Sequence, residues 1–351
     1  MHIKFDDLKQ FCKHTYIRVG VPEDEASIVS DLLAMSDLRG IETHGVSLLP
    51  IYILRLQKKY VRNKVKITYI KEKGPVAFAE AYGSIGHIVA QKVMQCAIEK
   101  AQEFGIGWIT VKSSGHFGAA GLYSMMAANS GLIGYVCTNT GPMMAPFGGR
   151  ERIIGNNPLS YAFPAGQNPP IVVDFSCSVV SAGRLNLARK KGEKIPLGWA
   201  LDENGMPTED PDKGYQNNGT LIPVGGHKGY GLALSHEILT AVLSGGKWSR
   251  NIKRLNEEDK TGIQGTCHSF MVLDPDCFIG REEFEREMDR YIKTIKESGK
   301  TKNADAILMP GEPELKSETD RLKNGIPLSA NLVKELTVLG QSLGIDLVLM
   351  D

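Results

Sequence analysis

This chain is short of the features that would place it quickly, and each absence excludes something. It has almost no net charge: Lys plus Arg is 41 against 40 for Asp plus Glu, a formal +1. That balance gives no electrostatic ground for nucleic acid or an anionic membrane surface as a partner. No apolar run approaches the roughly 18 residues of a membrane span. The N-terminal MHIKFDDLKQ has no apolar signal core, so a cytoplasmic protein is expected. The six cysteines (Cys12, Cys96, Cys137, Cys177, Cys267 and Cys277) form no C-x-x-C pair and no zinc-type spacing with histidine. They are expected to be small hydrophobes in a reducing compartment. No G-x-S-x-G elbow and no P-loop occur, which argues against those hydrolases. His, Asp and Glu show no metal-ligand spacing either, so no metal is expected.

What is present fits a globular chain, 42% hydrophobic and 23% charged. Its 351 residues exceed the size at which a single core usually stops growing, so two domains are expected. Phe5, Leu8, Phe11, Cys12 and Tyr16 recur at helical spacing over residues 5–18. A second helix opens at Pro22 with three acids in its first turn and ends near Gly40. A third follows from Leu48 to Lys58, so the first seventy residues read as a helical unit. From Val65 the pattern changes to two alternating strands joined at Lys73–Gly74–Pro75. A helix stopped by Gly105 and the strand GWITVK come next. Leu159–Pro164, Ile171–Phe175 and HSFMVLD read as further strands. Helices are expected over Ala182–Lys194, after the glycines at 225–226, over Glu282–Lys296 and over Asn331–Leu343. Leu201–Gly219 reads as a long surface loop, residues 247–264 as a mobile polar insertion and PGEPE as a turn.

One stretch, Val111 to Pro158, concentrates the candidates for chemistry. Gly115-His-Phe-Gly-Ala-Ala-Gly121 follows a strand and precedes a helix. Its first two glycines are three apart, and no acid ends a strand about 20 residues later, so it is not a Rossmann fingerprint. The loop could still cradle an anion at the helix N-terminus. His116 could exchange a proton in carbonyl or alcohol chemistry, or merely bond the backbone. His44, in Glu42-Thr-His-Gly45, poses the same choice. Thr43 could orient a ligand hydroxyl or cap the next helix. Lys228, at a second glycine-rich helix entry, would suit a phosphate or carboxylate. Asp174 ends a strand, where it could hold a ribose hydroxyl pair or cap the next segment.

The ordered set SDLRGIETHGVSLLPIY, SSGHFGAAG, TNTGPMMAPFGG, GNNPLSYAFP, VVDFS, GWALDENGMPTEDP, GGHKGYGLAL and MPGEPE resembles the malate/L-lactate dehydrogenase family. That family is unrelated to the Rossmann-type lactate and malate dehydrogenases. The resemblance implies an α/β fold with a non-Rossmann central domain on a mixed or antiparallel sheet, and a helical domain built from both chain ends. Residues 1–70 and 280–351 would form the helical domain, and 71–279 the nucleotide-binding domain. It also implies hydride transfer between NAD or NADP, with NAD favoured, and C2 of a small 2-hydroxy or 2-oxo acid, in a homodimer. By motif, His116 and His44 are the acid/base candidates, and Thr43 a substrate contact. Thr140, Asp174, Phe175, Ser176, Lys228, Pro310, Gly311 and Glu312 are cofactor contacts. The family usually places an arginine four residues after the histidine of the THG motif, and here that residue is Leu48. Arg55 and Arg184 are then the candidate partners of a substrate carboxylate. The departure keeps two alternatives open: reduction of a cyclic imino acid, and a protein that binds a nucleotide or metabolite without turnover.

Overall fold

The computed structural model describes residues 1–255 and 262–350. In chain order, the helices are α1 (Phe5–Arg18), α2 (Glu23–Leu38), α3 (Leu49–Gln57), α4 (Gly86–Phe104), α5 (Gly121–Asn129), α6 (Ala182–Lys191), α7 (His227–Glu237), α8 (Arg281–Lys296), α9 (Glu312–Asn324) and α10 (Ala330–Leu343). The strands are β1 (His2–Ile3), β2 (Thr68–Lys73), β3 (Val76–Glu80), β4 (Ile106–Ser114), β5 (Ile133–Thr138), β6 (Leu159–Phe163), β7 (Ile171–Phe175), β8 (Ala200–Leu201), β9 (Thr220–Leu221), β10 (Thr266–Leu273) and β11 (Ile326–Pro327).

The centre is a seven-stranded sheet in the order β2-β3-β4-β10-β5-β6-β7. Only β3 and β4 run parallel; every other pair is antiparallel. The mixed, non-Rossmann sheet expected from the sequence is what forms. A parallel pair needs a long crossover, and α4 provides it between β3 and β4. Its stop signal works as read: Gly105 takes φ +81° and its N–H closes on the Ala101 carbonyl. Helices α4 and α5 lie on one sheet face, where Val89, Val93, Met94, Ala97, Tyr123 and Ala127 pack with Val111, Val136 and Phe270. Helices α6 and α7 and the 143–154 segment cover the opposite face.

A second core joins the two chain ends. Leu8, Phe11, Tyr16, Val29, Leu33, Ile53, Val333 and Leu336 meet in one buried cluster drawn from α1, α2, α3 and α10. The β1–β11 pair ties the same ends together, His2 opposite Pro327 and Ile3 opposite Ile326. The helical unit expected from both ends is therefore present. Helix α8 packs elsewhere, at the β7 edge of the sheet, with Ile292 against Ile171 and Met309.

Three local expectations change. PGEPE is not a free turn: it leads into α9, a helix with no buried residue and so no apolar stripe to read. The 201–219 loop is pinned by the β8–β9 pair and holds a π-helical turn at Asp212–Gln216. The Ala182–Lys194 helix ends at Lys191, where Gly192 takes φ +68°. Residues 256–261 of the expected 247–264 insertion lie outside the described residues. The cysteines are all free; Cys12, Cys137, Cys177 and Cys267 are buried, Cys96 half-buried and Cys277 exposed.

Candidate active site

The helical unit and the sheet meet at a cavity of about 550 Å³. Its walls come from four places: Ile41, Thr43 and His44; Gly118 to Leu122 entering α5; Val172 to Ser176 closing β7; and Leu308 to Gly311 before α9. Loops at element ends, held by rigid layers, are where chemistry is usually built. Seven of the residues singled out by sequence line this one space: Thr43, His44, Asp174, Phe175, Ser176, Pro310 and Gly311.

His116 stands beside it. Its ring is stacked on His44, with centres 5.7 Å apart and planes 20° from parallel. The loop that carries it is locked from three sides. The His116 N–H donates to Gln264 Oε1 at 3.0 Å, Tyr123 donates to the Phe117 carbonyl, and the start of α4 presses on the backbone. A Cβ at Gly86 would overlap the Gly115 and His116 carbonyls, so only glycine permits that approach. His116 Nδ1 lies 2.6 Å from the Tyr52 hydroxyl, and His44 Nδ1 lies 3.0 Å from Thr43 Oγ1. No partner occupies Nε2 of either ring among the described residues.

Two further histidines complete a cluster. His87 sits edge-on to His116 with centres 6.5 Å apart, and its buried Nε2 has no partner among the described residues. His268 lies flat against Phe117 at 4.5 Å and contacts Thr138 Oγ1 and the Gly115 carbonyl. Burial disfavours the imidazolium in all four. It holds His44 below its usual value and His116 well below, with the neighbouring histidines adding to the effect on His116. His87 and His268 are pushed down to about 3. The stacked His44–His116 pair is therefore poised to handle neutral rings and one transient proton. Among the described residues no three His, Cys, Asp or Glu side chains converge as a metal set.

Asp174 overturns one expectation. The α5 N-terminus is not open to an anion, because Gly121 N–H already donates to Asp174 Oδ2 at 2.7 Å. The acid caps that helix and leaves Oδ1 without a partner among the described residues, at the cavity, where it can accept from a hydroxyl pair. Phe175 and Leu308, 39% and 60% exposed, put apolar surface on the same wall. A flat ring and a sugar diol fit that combination. Arg39 is the one cation lining the cavity among the described residues, and its Nη1 is held by Glu318 at 2.6 Å.

Other candidates sit apart from this wall. Thr140 reaches it through Asn156, its Oγ1 donating to Oδ1 at 2.9 Å. Glu312 is held by Lys296 and accepts from the Met309 N–H. Lys228 is exposed at the start of α7. Arg184 is exposed too; a Cβ on its neighbour Gly183 would come 3.9 Å from the Thr43 methyl, which puts this segment near the edge of the site. Arg55 is only 3% exposed and borders a second, small cavity of about 20 Å³ with Tyr16, Tyr52, His87 and His116. That space suits about one water, not a carboxylate. Sequence reasoning missed Tyr52, His87 and Arg39. The signal for Tyr52 and Arg55 was a pair of polar groups at i, i+3 within an otherwise apolar helix.

The chain matches a family model described as malate/L-lactate dehydrogenase over residues 3–337. It is 39% identical to a malate dehydrogenase of Pyrococcus abyssi over 352 residues, which cover 98% of this chain and 96% of that one. Among solved structures it is similar to the sulfolactate dehydrogenase of Methanocaldococcus jannaschii, with a TM-score of 0.92, 34% identity, and 99% and 98% of the two chains covered. A malate dehydrogenase of Entamoeba histolytica superposes with a TM-score of 0.93 at 30% identity, covering 99% of both chains.

Proposed function

Since the chain belongs to the malate/L-lactate dehydrogenase family, and so is an oxidoreductase of hydroxy acids, we propose that it interconverts a small 2-hydroxy acid and its 2-oxo acid with NAD or NADP. The observation that supports this most is the stacked His44–His116 pair at a cavity walled by Asp174, Phe175 and Leu308. Bound there, a nicotinamide cofactor would accept or donate the hydride at C2.

The protein's own work is to bind, orient and manage one proton. Asp174 Oδ1, Phe175, Ser176 and the Pro310–Gly311 turn are proposed to hold the cofactor. Thr140 and Glu312 support that wall from behind, and Lys228 meets its charged end. Thr43 and Arg184 take the substrate, Arg184 gripping the carboxylate in place of the arginine that Leu48 replaces. Arg55 stays behind Tyr52, at the small second cavity and away from the substrate. His44 and His116 manage the proton at the C2 oxygen, and the closed packing around them keeps bulk water off the reacting atoms.

Helix α7 and the π turn after it expose Leu232, Leu234, Ile238, Val242 and Leu243. Exposed apolar side chains grouped in one segment suit association, and we assign them to a homodimer. The division into residues 1–70 with 280–351, and 71–279, is part of the same proposal.

The test is absorbance of the reduced nicotinamide in the presence of purified protein and a panel of 2-oxo acids, sulfonated oxo acids and cyclic imino acids. Oxidation with one oxo acid supports the proposal and identifies substrate and cofactor together. Oxidation with an imino acid alone replaces the substrate class. Absence of cofactor binding ends the dehydrogenase reading for this chain.

A further inference from the structure

His116 Nδ1 faces two donors. The Tyr52 hydroxyl is 2.6 Å away, and the Gly118 N–H points at the same nitrogen from 3.4 Å. A nitrogen that accepts from a backbone N–H cannot carry a hydrogen itself, so the neutral ring holds its hydrogen on Nε2. Tyr52 is suited to be the lasting donor. It is buried, and burial holds its phenol protonated far above ordinary pH. Nothing competes for the other tautomer: no carbonyl or carboxylate oxygen is bonded to either ring nitrogen of His116 among the described residues. His44, half-buried like His116, differs in its surroundings: it lines the cavity, and its Nδ1 meets only a threonine hydroxyl, which can donate or accept.

We propose that Tyr52 is a positioning residue that fixes His116 as its Nε2–H tautomer, so that His116 donates a hydrogen bond to the substrate's C2 oxygen while His44 exchanges the proton. This rests on the hydroxy-acid reading given above. In reduction C2 gains a hydride and its oxygen gains one proton. A neutral His116 that surrendered Nε2–H, with Nδ1 bare, would become an imidazolate among three other histidines. His44 as an imidazolium gives up its proton and is left neutral; in oxidation it takes the proton back from the hydroxyl. A neutral His116 also spares His44 a like charge 5.7 Å away.

The test is a long-range proton–nitrogen correlation spectrum of the full-length protein, labelled with nitrogen-15 in histidine and recorded near pH 7.5 without substrate or cofactor. The His116 signals are assigned by their loss in His116→Gln. The expected ring has a protonated Nε2 and a bare Nδ1. Tyr52→Phe keeps the aromatic ring and removes only the hydroxyl. It is expected to move the His116 signals toward the other tautomer and to lower kcat by roughly tenfold to a hundredfold, with KM for the cofactor unchanged. A wild-type His116 protonated on Nδ1 or on both nitrogens overturns the proposal. So does a Tyr52→Phe protein whose ring signals or kcat match wild type. The wild-type spectrum decides even if the variant fails to fold. It also separates the two hypotheses, because a wrong substrate class abolishes turnover and leaves the tautomer in place.

Discussion

His44 and His116 were legible as candidates because each sits in a glycine-flanked turn with little else to explain it. Which atoms they face was not, because Tyr52 lies 64 residues before His116 in the chain and looks like one more apolar helix position. Replacing either histidine by alanine is expected to lower turnover by about 10²–10⁴-fold, with the reduced cofactor still binding by fluorescence titration; normal turnover in both variants would rule out the acid/base assignment. Asp37 was passed over altogether. It is 1% exposed and accepts the Val46 N–H at 2.6 Å, which anchors the turn beyond His44. Burial raises its carboxyl from 3.8 to about 7. A group that holds its proton more tightly when folded stabilises fully below the lower value, and that stability is lost as pH rises through the higher one. Asp37→Asn keeps an acceptor for Val46 and cannot ionise. Its melting temperature should match wild type near pH 4 and exceed it increasingly toward pH 8, a gain of up to about 4 kcal/mol; parallel curves across that range would contradict the assignment.

At the scale of elements, the helices with apolar stripes were the readable ones. Helix α10 shows the full grammar, with Ser329 accepting from the Leu332 N–H at its start and Gly344 at φ +69° beyond its end. Helix α9 escaped because ion pairs, not apolar burial, hold it. Glu318 meets Arg39, and Glu42 meets Arg321, each at 2.6 Å. These contacts join the wall before α9 to the turn carrying His44, so the two sides of the cavity share one brace. The residue that caps the start of α9 is pinned by backbone conformation. Gly311 takes φ +97°, and a Cβ there would come 3.2 Å from the Val172 N and Cβ. Gly311→Ala should therefore cost more than the roughly 1 kcal/mol by which Ala and Gly ordinarily differ. It should also weaken cofactor binding several-fold in the same titration; unchanged melting and affinity together would show that the turn adapts freely.

The whole molecule was legible in class and not in wiring. Period-two and period-3.6 patterns located individual strands and helices, the family resemblance implied the mixed α/β architecture, and the spacing of glycines excluded the Rossmann fingerprint. The position of β10 left no local trace, since its partners β4 and β5 lie over a hundred residues earlier. The histidine cluster is likewise a property of the assembled chain. Its members hold protons less tightly when folded, so they stabilise above about 6.5 and lose that contribution as pH falls toward the value near 3 at His87 and His268. Melting temperature should fall through that interval, and His87→Gln should flatten the fall; an unchanged slope in the variant would mean that His87 is not among the groups resisting protonation.

The central strand also arrives last. When the ribosome has made residues 1–265, β4 and β5 exist but the strand that joins them does not, and each offers an unpaired edge. Exposed edges of this sort recruit any extended chain nearby, and pairings this distant in sequence form slowly. The sheet is therefore completed late in synthesis or after it, and the nascent protein depends on β10 to seal a seam that stays open for most of its emergence.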